Sequence, residues 1–77
     1  MNKARRKVLD DIWGQIMEAK DMLECVTDEE EDMMNNIPEN LQGSAMYESC
    51  EDAVYSMEEA IDYLDDVCEK LNELVEG

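Results

Sequence analysis

The sequence predicts an all-α fold, an antiparallel helical hairpin of two long amphipathic helices that dimerises into a four-helix bundle. Three observations lead there. Apolar residues recur at three-four spacing on both sides of a single breaker-rich stretch. Between Cys50 and Gly77 a seven-residue unit repeats four times, as CEDAVYS, MEEAIDY, LDDVCEK and LNELVEG. The apolar share, 44%, is too high for a disordered tail, although 22 acidic residues against 6 basic ones give a net charge of −16. Pattern outweighs charge, and residues 1–77 are read as one hairpin domain.

The first helix is expected over about residues 2–35. Leu9, Ile12, Ile16, Ala19, Leu23, Val26 and Met33 fall on one stripe, with Glu30 in its one polar slot, and Asn2 is the expected N-cap. Val8, Trp13, Met22 and Met34 widen that stripe. The turn is expected over about residues 36–43, where Asn36, Pro38 and Gly43 gather. Gly43 is expected to relieve the backbone ahead of Ser44, the expected N-cap of a second helix over about residues 44–76.

The second helix has a seam of Tyr47, Cys50, Val54, Met57, Ile61, Leu64, Cys68, Leu71 and Val75. Beside it runs a stripe of Met46, Ala53, Ala60, Val67 and Leu74. Three apolar positions per heptad exceed what a two-stranded coiled coil buries. Two helices about 45 Å long cannot cover both widened faces, and a chain this short needs more than its own core. The expected solution is a homodimer in which Trp13 and the Met46, Ala53, Ala60, Val67 and Leu74 stripe meet a second hairpin. Alternatively the stripe stays open for another protein. Most of the seven methionines are expected to fill core gaps.

The opposite face of the second helix carries acid pairs at the same two positions of three repeats: Glu51/Asp52, Glu58/Glu59 and Asp65/Asp66. Such a face is ordinarily just solvated surface. Here it is costly. Glu58, Asp62 and Asp66 are like charges at four-residue spacing, as are Asp65, Glu69 and Glu73, each pair costing about 0.2–0.5 kcal/mol in an isolated helix. Lys70, near Asp66 and Glu73, is expected to relieve part of it. The first helix opens with Lys3, Arg5, Arg6 and Lys7 and closes with Asp28 to Asp32, so both ends oppose the helix dipole. These penalties suggest an acidic ladder serving recognition, comprising Glu51, Asp52, Glu58, Glu59, Asp62, Asp65 and Asp66. Tyr55 and Tyr63 stand among the acids, either as contacts for a partner or along the helix edge with wet hydroxyls.

Several classes of function are excluded or disfavoured. With no histidine, Cys/His zinc sites and His-based acid–base chemistry are ruled out, and neither a phosphate-binding Gly loop nor a nucleophile with a base is present. No enzyme and no cofactor are expected. Asp28, Glu30, Asp32, Asn36 and Glu39 match an EF-hand count, but Met33 stands where the loop needs glycine. Residues 8–77 hold all 22 acids and only Lys20 and Lys70 as cations, so direct nucleic-acid binding is disfavoured and a basic protein is favoured. The basic MNKARRK segment is expected to pair with the acidic body of its own or a partner subunit, for instance near Asp65, Asp66 and Glu69, the alternative being contact with phosphate or an acidic neighbour. Asp10 and Asp11 interrupt any export signal, no membrane span is found, and Cys25, Cys50 and Cys68 read as reduced core residues of a cytosolic protein. No membrane association is expected.

The MNKARRK start, the NIPENLQGS turn and the acidic heptad tail together resemble a group of small acidic uncharacterised proteins from phages and prophages of Gram-positive bacteria. The resemblance runs over nearly the whole chain and implies a phage-encoded protein in the host bacterial cytosol. In that setting the expected function is to bind and inhibit a basic host protein, a nuclease or other defence factor, through the acidic faces as a nucleic-acid mimic. The alternative is a structural or assembly accessory that binds a virion component through the apolar stripe.

Overall fold

The computed structural model describes residues 1–76; Gly77, which ends the fourth repeat and the expected domain, lies outside the described residues. Helix α1 (Lys3–Asn35) and helix α2 (Ala45–Glu76) pack along each other as a hairpin in a rod of 59 × 14 × 13 Å. A single 3-10 turn, Glu39–Leu41, lies between them.

Local chemistry sets the ends of both helices. Asn2 Oδ1 accepts a 2.8 Å hydrogen bond from the Arg5 backbone N–H, using one of the donors a helix start leaves free. At the other end of α1, the Asn36 N–H donates to the carbonyls of Asp32 and Met33, and Pro38, which has no N–H, cannot continue the ladder. The Leu41 N–H closes on the Pro38 carbonyl at 2.8 Å. Ser44 Oγ then accepts from the Tyr47 N–H at 3.3 Å and opens α2. Gly43 does this without a positive φ, and a Cβ there would meet nothing within 4 Å, so the turn does not need the conformational freedom expected of it.

On α2 every residue of the expected seam, from Tyr47 to Val75, is buried or half-buried. On α1 the seam differs from the expected stripe. It runs Leu9, Trp13, Ile16, Lys20, Leu23, Thr27, Glu30 and Met34, again at three-four spacing. Ile12, Ala19, Val26 and Met33 are exposed instead, with Val26 and Met33 each 50% accessible. The two rows share Leu9, Ile16, Leu23 and Glu30 and differ by one residue elsewhere, so the helix is turned towards its Trp13 side.

That rotation is tolerable because two of the polar groups it brings inward, Thr27 and Lys20, find partners, whereas the buried Arg6 Nε near the open end has none. Thr27, only 4% exposed, donates its hydroxyl to the Leu23 carbonyl at 2.7 Å. Lys20 lays its stem in the seam and pairs its ammonium with Asp65 of α2. Burial of Trp13 in place of Ile12 adds a larger apolar surface to the contact. Among the described residues, no large side chain is completely enclosed, as two helices alone would lead one to expect.

Candidate functional site

The hairpin has two chemically opposed sides, set by heptad position. In an antiparallel pair, the rows preceding the seam on both helices flank one side and the rows following it flank the other. On the following side, Glu31 of α1 shares a small cleft of about 190 Å³ with Glu51, Tyr55 and Glu58 of α2. On the preceding side, Met33 of α1 and Met46 of α2 line one open cleft of about 830 Å³ with Ile37, Pro38 and Leu41.

Glu51, Asp52, Glu58, Glu59, Asp62, Asp65 and Asp66 are all exposed on α2. Of these seven, Asp65 alone meets a cation among the described residues, the Lys20 ammonium, whose pKa is raised chiefly by that hydrogen bond, with burial opposing it and the charges of Asp65, Glu24 and Asp21 adding smaller increases. Lys70 reaches Glu73 at 3.7 Å and makes no ion pair with Asp66. Tyr55 and Tyr63 are exposed, and the Tyr63 hydroxyl donates to Glu59 Oε1 at 3.0 Å. This hydrogen bond, then the charge of Glu59, raises the phenol pKa.

Among the described residues Lys3, Arg5, Arg6 and Lys7 form no ion pair with acids of their own chain, and Asp65, one of the three acids expected near them, is taken by Lys20. One expectation about charge is corrected. Glu31 belongs to the acidic side, although the sequence reading placed that side on α2 alone. Its signal was available: Glu31 follows Glu24 by one heptad, in the row next to the true α1 seam. Asp28 to Asp32 lie inside α1, so their carboxylates radiate around a helix rather than converging, and no metal-holding group of acids or cysteines occurs among the described residues.

The apolar side is larger than the stripe of α2. Met46, Val67 and Leu74 are exposed and Ala53 and Ala60 half-buried, and Ile12, Ala19, Val26 and Met33 of α1 now stand beside them. Trp13 lies half-buried in the row of the hairpin seam rather than flanking it. Cys50 and Cys68 are buried, whereas Cys25 is exposed and is not a core residue of the hairpin. Among the described residues, no helix is long and apolar enough to cross a membrane.

No family model matches this chain, and neither the characterised proteins nor the solved structures offered a match to it.

Proposed function

We propose that the protein is a non-enzymatic binding module whose acidic side docks on a basic, nucleic-acid-handling host protein and occupies the path of a nucleic-acid strand. The observation that carries this reading is the density of carboxylates along α2, of which only Asp65 and Glu73 meet a lysine among the described residues. From Glu51 to Glu76, α2 carries ten acids, one per roughly 4 Å of helix. A single DNA strand presents one phosphate per about 3.4 Å and a duplex one per about 1.7 Å. The spacing therefore suits a site that grips one strand, and Tyr55 and Tyr63 offer rings beside the charges where such sites hold bases. The sequence resemblance to phage proteins supplies the setting, an inhibitor acting in an infected bacterium.

The test is quantitative capture from a Gram-positive bacterial lysate by tagged protein, beside a variant carrying Glu58→Gln, Glu59→Gln, Asp62→Asn and Asp66→Asn. Those four changes spare Asp65 and its Lys20 contact, and they remove like-charge repulsion, so the hairpin should stay folded. Expected are captured nucleic-acid-binding proteins that are displaced by single-stranded DNA and by about 0.5 M salt, with capture at least tenfold weaker by the variant. Capture that resists both salt and the four neutralisations would sink the reading.

A further inference from the structure

The geometry points to the apolar side as an interface between two copies of this chain, packed face to face and head to tail with their loops at opposite ends. This inference is independent of what the acidic side binds. It rests on a surface that only the folded hairpin assembles: exposed Ile12, Val26 and Met33 from α1 beside exposed Met46, Val67 and Leu74 from α2.

Size identifies the occupant first. The apolar rows span about 32 Å of α1 and about 42 Å of α2, so over the 14 Å width of the rod they offer roughly 600 Å² per partner, at the lower end of the range for a specific interface. A second rod of the same length covers it fully.

Side-chain volume then favours head-to-tail pairing. A two-fold axis across the helices places α1 against α1 and α2 against α2. Centred on Ala19 and Ala60, it puts four alanines in the middle layer, where the backbones can approach closely. One layer out, Ile12 and Val67 face Val26 and Ala53 of the second copy. Beyond them, Arg5 and Leu74 reach the Met33 and Met46 layer, the cleft also lined by Glu29 and Asp32. Larger side chains meet smaller ones, and an apolar cleft with acids at its edge receives a leucine beside an arginine.

Charge decides the orientation independently. Residues 24–52, the loop end, carry ten acids and no cation, whereas Lys3, Arg5, Arg6 and Lys7 all lie at the open end. Loops side by side would set two acidic ends together. Head-to-tail pairing sets each acidic end beside the other copy's basic segment, which makes no ion pair within its own chain among the described residues.

Sedimentation equilibrium of the full chain should give the mass of a dimer. A Val26→Glu, Val67→Glu variant should give a monomer with unchanged helical circular dichroism, because both side chains point away from the hairpin seam. Orientation is read in a Cys25→Ser background under mild oxidation. Ala60→Cys should form a disulfide-linked dimer across the two-fold axis, while Val26→Cys, which faces Ile12 of the second copy, should not. A monomeric native chain overturns the interface and leaves the apolar side to a different protein, such as a virion component. A dimer that crosslinks through Val26→Cys, or fails to through Ala60→Cys, overturns the head-to-tail geometry.

Discussion

Three cysteines on one rod occupy three environments, and each follows from its register. Cys25 lies on the outer surface of α1 and is exposed. Cys68 is buried in the α2 seam. Cys50 is also buried there, and its thiol faces Glu30 of α1, whose hydrogen bond raises the pKa, with burial and the carboxylate charge adding to it. A thiolate is the reactive form, so Cys50 is protected both by access and by protonation. At about pH 8 an Ellman-type titration of the native protein should show one fast thiol, and three after denaturation. The sign of the pH effect follows from the raised value: the neutral Cys50 thiol contributes its full stabilisation below about pH 8.5 and loses it as pH rises through the folded-state pKa. Three fast thiols in the native protein would contradict this placement.

At the scale of the helices, the hairpin was legible from local signals, because caps and breakers act within a few residues. Asn2, Pro38 and Ser44 each do what their chemistry dictates without help from the rest of the chain. The seam of α2 was equally legible, since its heptads offer one continuous apolar row. The seam of α1 was not. Rows containing Ile12, Val26 and Met33 or Trp13, Thr27 and Met34 both satisfy three-four spacing, and they are one residue apart. The observed row buries Trp13 and sets Lys20 against Asp65, forty-five residues further on and on the other helix. No local pattern reports that. The same uncertainty hid Glu31 from the acidic side and half of the apolar side from the proposed interface. The assignment is tested by paired truncations in the monomeric Val26→Glu, Val67→Glu background. Trp13→Ala should cost about 2–3 kcal/mol in urea unfolding, and Ile12→Ala under about 1 kcal/mol. Equal losses would mean that both rows share the hairpin contact.

For the whole molecule, the dominant quantity is a net charge of −16 on 77 residues, and it acts in opposite directions on folding and on binding. Within one hairpin the acids repel along α2 and across the cleft shared by Glu31, Glu51 and Glu58. Between two hairpins, the head-to-tail arrangement relieves contacts at the ends, yet the two chains still carry like net charge. Against a basic host protein, by contrast, the same carboxylates attract. Raising ionic strength from about 0.01 to 0.5 M shortens the screening length from about 30 Å to below 10 Å, less than the length of the rod. Salt should therefore raise the thermal midpoint and tighten the proposed dimer while weakening capture of the proposed basic partner. The first two responses are read by circular dichroism melts and sedimentation at matched protein concentration, since the midpoint of a dimer also moves with concentration. A melting midpoint that falls with salt would show that paired charges, not repelling ones, govern this fold. Lys20–Asp65, the ion pair that joins α1 to α2, would then be the first pair to test.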